Sequence, residues 1–290
     1  MFIVSLIAGS SRILEPSLVQ SLQGAWGAGV ANWLAPDVAA EFAVERRPSN
    51  FLEVWAELQG MQIDLNILPA EGRRKTVLLA DMDSTMIQQE CIDELAAEAG
   101  VGEHVAGITA RAMNGEIDFE DALRERVGLL KGLDCGVIET VWRDRITLMP
   151  GGKALLATMK AHGAYAALVS GGFTDFTGRV AEDLGFDEHR ANTLLAEGGK
   201  LTGEVGMPIL GKEAKVEALD DVTKKNAVTD ADVLAVGDGA NDLGMLTRAG
   251  MGVALHAKPA VQAECAVRIN HGDLTALLYL QGYGRSEFVC

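Results

Sequence analysis

Between residues 75 and 255 short apolar runs recur, each closed by small or acidic residues and followed by a helical segment; the clearest are "VLLADMDST", "AALVSGG" and "VLAVGDGAND". Unbroken apolar runs of this length read as strands buried on both faces. Strands spaced by helices imply right-handed crossovers and a parallel sheet with covered faces. Ligands of such sheets gather outside the carboxyl ends of the strands. That edge receives Asp81 and Asp83 from the first run, Ser170 from the second, and Asp238 with Asp242 from the third.

Taken singly, each of these residues has a plain structural explanation, because Asp and Ser after a strand often cap the next helix or make a tight turn. Together they set several carboxylates at one sheet edge, where repulsion raises their pKa values unless a cation neutralises them. All-oxygen ligation suits a hard divalent ion, Mg²⁺ by preference. The histidines, at 104, 162, 189, 256 and 271, are dispersed and offer no zinc cluster. Gly171 and Gly172 let backbone N–H groups approach an anion, and the helix after Asp83 turns its N-terminus to the same edge. Two carboxylates one residue apart divide labour readily. Asp81 reads as a nucleophile that forms an aspartyl-phosphate, and Asp83 as the acid and then the base. "GMPILGKE" imitates a phosphate-binding P-loop but has Glu213 where Ser or Thr is needed.

Three segments are expected. Residues 1–70 follow a β-α-β-β-α-β order, the split ferredoxin-like pattern, and resemble a divergent ACT-like ligand-binding module. The polar break "PAEGRRK" precedes the α/β core, assigned to 75–90 and 146–290. Residues 91–145 are helical in pattern, with Gly or Asp between segments, and read as a helical insert.

Lys and Arg number 25 against 41 Asp and Glu, a formal charge of −16, and no basic block stands out. Nucleic acid and anionic membrane surfaces are therefore poor partners. A small anionic substrate needs local positive charge or a bound cation. The four cysteines are far apart and form no C-x-x-C pair, which fits reduced thiols in the cytoplasm. "MFIVSLIAGS" lacks a basic region before its apolar run and reads as a strand, and no apolar run reaches the ~18 residues of a membrane span.

In order and spacing, "DMDST", "SGG", "KEAK" and "GDGAND" resemble the four motifs of the haloacid dehalogenase superfamily of phosphohydrolases, over roughly residues 75 to 285. "ECIDELAAEAG", "ITARAMNGEIDFEDALRERVGLLKGL" and "GDGANDLGM" are similar to the members that act on O-phospho-L-serine. The resemblance implies a Rossmann-like parallel sheet with a helical cap inserted after the first motif. It implies an Mg²⁺-dependent phosphoric monoester hydrolase that releases L-serine and phosphate, the last step in making L-serine. It also implies that Glu90 receives the substrate ammonium and Arg126 its carboxylate, with Met113 and Phe119 packing over the site. Ser170 and Gly171 would hold the phosphoryl group, Lys215 neutralise its charge, and Asn241 contact substrate; Asp81, Asp83, Asp238 and Asp242 form the metal set. Met82 stands where the family often has Phe, a change confined to an inward side chain. The substrate's phosphate, ammonium and carboxylate call for a metal with donors, an anion and a forked cation.

Several alternatives stay open at this stage. By pattern alone Glu90 and Arg126 are solvated helix charges, Met113 and Phe119 are cap core, and Asp242 orients a ligand without being one. Lys212 competes with Lys215. The substrate could be phosphohomoserine or phosphothreonine, the reaction a phosphotransfer to an alcohol, or the chain an amino-acid-binding regulator. ACT-like modules commonly pair, which favours a homodimer.

Overall fold

The computed structural model describes residues 1–113 and 116–289; the side chain of Met113 lies outside the described set. The chain opens with β1 (Phe2–Ala8), α1 (Pro16–Trp26), β2 (Asn32–Ala35), β3 (Ala39–Val44), α2 (Phe51–Gly60) and β4 (Ile63–Pro69). Pro16 at the start of α1 needs no N–H partner, and Gly27 beyond its end takes φ 61° and returns its N–H to the carbonyls of Gln23 and Gly24. The strands form an antiparallel sheet of order β2-β3-β1-β4, as the βαββαβ pattern predicts. Its helix-covered face buries Val4, Leu6, Phe42 and Leu65 with Val19, Leu22, Phe51 and Leu58.

The next strand, β5 (Val77–Ala80), leads into four helices: α3 (Cys91–Glu98), α4 (Gly102–Met113), α5 (Phe119–Gly128) and α6 (Gly136–Asp144). Strand and helix then alternate through α7 (Gly152–Ala161), β6 (Tyr165–Phe173), α8 (Thr174–Leu184) and β7 (Glu188–Asn192). An antiparallel hairpin of β8 (Leu194–Glu197) and β9 (Lys200–Val205) interrupts them, as "LLAEGGKLTGEV" suggests. Last come α9 (Lys212–Asn226), β10 (Val233–Gly237), α10 (Leu243–Arg248), β11 (Met251–Leu255), α11 (Pro259–Glu264), β12 (Val267–Ile269) and α12 (Ala276–Leu280).

The six core strands lie in the order β12-β11-β10-β5-β6-β7. Registered pairs β10–β11, β11–β12 and β6–β7 are all parallel. Val77, Leu78, Leu79 and Ala80 are fully buried, which explains the unbroken apolar run. From β5 the chain moves outward to β6 and β7, then restarts on the other side at β10. This reversal makes the carboxyl ends of β5 and β10 the switch point at which such sheets bind ligands.

Two compact units emerge: Met1–Leu79, Pro150–Ala166 and Leu219–Cys290 in one, Ala80–Met149 and Ala167–Ala218 in the other. In the first, β4 is fastened to the chain around β12. Asn66 exchanges two hydrogen bonds of 2.9 Å with the Arg268 backbone. Asp64, almost fully buried, accepts from the N–H groups of Asn270 at 2.7 Å and Gly272 at 2.8 Å. The first seventy residues are thus hydrogen-bonded to the last strand of the core. No helix among the described residues is long and apolar enough to cross a membrane.

Candidate active site

Asp81 is the first residue beyond β5 and is buried. Its Oδ1 lies 2.7 Å from Nζ of Lys215, itself 1% exposed in the first turns of α9. Burying both partners of an ion pair is costly and persists only with close geometry. Lys212 instead points outward, its side chain 73% exposed and its ammonium 3.8 Å from Glu213. The burial of the two lysines separates them where their spacing could not.

After Asp81 the chain turns sharply: the Met82 carbonyl accepts from the N–H groups of Thr85, Met86 and Ile87, and Ser84 takes φ 54°. This turn aims Asp83 in two directions. Its Oδ1 accepts from the Cys91 N–H at 2.8 Å, capping α3, and its Oδ2 accepts from the Ser170 hydroxyl at 3.0 Å. The plain capping explanation therefore holds for Asp83 alongside the chemical one. Ser170 Oγ in turn accepts from the Gly172 N–H at 2.8 Å. A Cβ on Gly172 would stand 2.6 Å from Asp83 Oδ2, so no other residue fits there without displacing the carboxylate.

Glu90 precedes α3 and accepts from the Ser84 hydroxyl at 2.8 Å. Arg126, half-buried on α5, donates from Nε to the Ala122 carbonyl at 3.2 Å. Burial pulls its guanidinium pKa down, while Asp93, Glu90 and Asp83 hold it charged. The same burial pushes the Asp93 carboxyl up against the opposing pull of Arg126. Phe119, at the start of α5, holds Cζ 3.2 Å from where a Cβ on Gly171 would stand, so its ring lies over the "SGG" segment of β6. Met113 closes α4, and its side chain is outside the described residues. The Gly171 carbonyl is fixed by Asn192 Nδ2 at 2.9 Å.

Asp238 follows β10 directly, and Asn241 and Asp242 lie in a short 3₁₀ turn beyond it. Asp242 is fully buried, its Oδ2 accepting from the Gly239 N–H at 2.9 Å. Asp238 and Asp242 each offer a carboxylate oxygen, and these oxygens lie within 4.8 Å of each other. Their all-oxygen donors fit a hard divalent cation. The Asp83 oxygens are turned to Cys91 and Ser170.

Sequence reasoning passed over Ser84 and Asn192, which hold Glu90 and Gly171, and Asp93, whose charge acts on Arg126. Only Asp93 carried a signal, as an acid beside the apolar stripe of α3.

Residues 78–247 match the model of the haloacid dehalogenase-like hydrolase family. The chain belongs to that family. It is 42% identical over 222 residues to a phosphoserine phosphatase from Archaeoglobus fulgidus, covering 77% of this chain and 64% of that protein. Among solved structures, a haloacid dehalogenase family hydrolase from Salmonella enterica subsp. enterica serovar Typhi superposes with a TM-score of 0.87 at 30% identity, covering 96% of this chain and 97% of that one. A phosphoserine phosphatase solved as a phospho-aspartyl intermediate analogue superposes with a TM-score of 0.66 at 41% identity, covering 71% of this chain and 98% of that one.

Proposed function

We propose that this chain is a phosphoserine phosphatase that hydrolyses O-phospho-L-serine to L-serine and phosphate through a phosphoenzyme at Asp81. The observation that carries the reading is the buried contact of 2.7 Å between Asp81 and Lys215 at the end of β5. A carboxylate fixed beside an ammonium is placed to attack phosphorus in line. The relative solved as a phospho-aspartyl analogue supports the covalent step.

Asp81, Asp238 and Asp242 would hold the cation, Mg²⁺ in this proposal, which when bound neutralises charge on the phosphoryl oxygens. Ser170 and the backbone of Gly171 bind the phosphoryl group, and Lys215 balances its charge. Asp83 gives a proton to the departing serine oxygen. It then takes one from the water that attacks the phosphoenzyme. Glu90 faces the substrate ammonium and Arg126 its carboxylate, Phe119 packs over the site, and Asn241 contacts substrate.

Residues 1–70 are proposed as an ACT-like domain and 91–145 as the cap, in a cytoplasmic protein that pairs as a homodimer. The test is phosphate release from O-phospho-L-serine, phosphothreonine, phosphohomoserine and a sugar phosphate, each with Mg²⁺ and with chelator. Magnesium-dependent preference for phosphoserine is expected; a sugar phosphate turned over faster contradicts the assignment.

A further inference from the structure

In a chain of formal charge −16, arginines commonly meet a carboxylate: Arg73 meets Glu41 at 2.7 Å and Arg190 meets Glu188 at 2.9 Å. Arg47 and Arg268 differ. Among the described residues neither makes an ion pair, and each guanidinium lies over an aromatic ring: Arg47 at 4.9 Å from the Phe51 centroid, Arg268 at 5.0 Å from that of Trp55. Arg268 Nε donates to the Cys265 carbonyl at 2.8 Å. The remaining donors of that fork have no protein acceptor among the described residues.

Both arginines line one cavity of about 310 Å³, in the range of small-molecule sites. Phe51, Leu52, Trp55 and Leu65 give it an apolar lining, which residues 263–266 complete. Glu264, on the lining, is exposed and pairs with neither arginine. The position of Arg268 is built in, because Asn66 clamps its N–H and carbonyl at 2.9 Å each. Burial pulls the Arg268 guanidinium pKa down, and the nearby charge of Arg47 adds to that pull against the opposing effect of Cys265.

We propose that this cavity is a binding site for a small organic oxyanion, a carboxylate or phosphate with an apolar body, which bridges Arg47 and Arg268 while its body lies against Trp55 and Leu65. A planar fork recognises either oxyanion, and stacking on a ring leaves the fork's edge facing the ligand. The site is independent of the phosphatase reading, since none of its residues takes part in that chemistry.

The test is titration of the full chain with benzoate and with phenylphosphonate, two unreactive probes that share a body and differ in the oxyanion. Binding is read by calorimetry and by Trp55 fluorescence, with Trp55→Phe as background. Saturable binding of at least one probe is expected, about tenfold or more weaker in Arg47→Gln and in Arg268→Gln, and partly kept in Arg268→Lys. It should also weaken with added salt. The tighter probe distinguishes carboxylate from phosphate. Arg47 is exposed, so Arg47→Gln carries the test even if Arg268→Gln does not fold. Failure of both probes to saturate, or an affinity that Arg47→Gln leaves unchanged, overturns the proposal.

Discussion

At the scale of single residues, the acids were the legible part. Asp81, Asp83, Asp238 and Asp242 could be marked because each follows an apolar run, and strand ends are where a parallel sheet exposes its backbone to ligands. What spacing could not supply was direction. Asp83 turns its carboxylate to Cys91 and Ser170, a consequence of the tight turn at Met82 that no residue count discloses. Lys212 and Lys215 were rivals until burial distinguished them. Lys215→Met should lower kcat by about 10²–10³, the usual cost of removing a fixed group that stabilises transition-state charge. Lys212→Met should stay within about twofold, as expected of an exposed charge. Steady-state kinetics of the two variants checks this, and equal losses would remove Lys215 from the mechanism.

At the scale of elements, helices and core strands were readable because their signals are local. Asp118 caps α5 by accepting from the Asp121 N–H at 2.9 Å, and Pro16 and Gly27 bound α1. Strand β4 was readable as a strand but not as a contact. In "QIDLNIL" acid and amide alternate with apolar residues, a pattern that usually marks one solvated face. Asp64 and Asn66 are nevertheless each 1% exposed, because that face is satisfied by backbone groups of residues 268–272. Such a long-range match leaves no trace in local sequence. Asp64→Ala would strip the acceptor from buried N–H groups of Asn270, His271 and Gly272 and should cost roughly 2–4 kcal/mol of stability. Urea denaturation measures it, and an unchanged midpoint would mean that water replaces the carboxylate without loss.

At the scale of the molecule, helix alternation predicts a parallel sheet but not the order of its strands. That order sets β5 beside β10. Stability should also respond to acid. The Gly284 N–H, and then Arg74, hold the Glu287 carboxyl below its usual value of 4.5. A lowered folded-state pKa stabilises above the unfolded value, and that contribution disappears as pH falls through the folded one. Glu287→Gln should therefore lower Tm near neutral pH and converge with the parent once pH has fallen through the lowered folded-state value; parallel Tm curves would exclude the linkage. The central claim is covalent catalysis at Asp81, and the most direct measurement is mass spectrometry of enzyme acid-quenched during turnover of O-phospho-L-serine with Mg²⁺. One phosphoryl group on the peptide that contains Asp81, absent from inactive Asp81→Asn, is the predicted result. Phosphate release by Asp81→Asn at the parent rate, with no phosphorylated peptide in either protein, would contradict it.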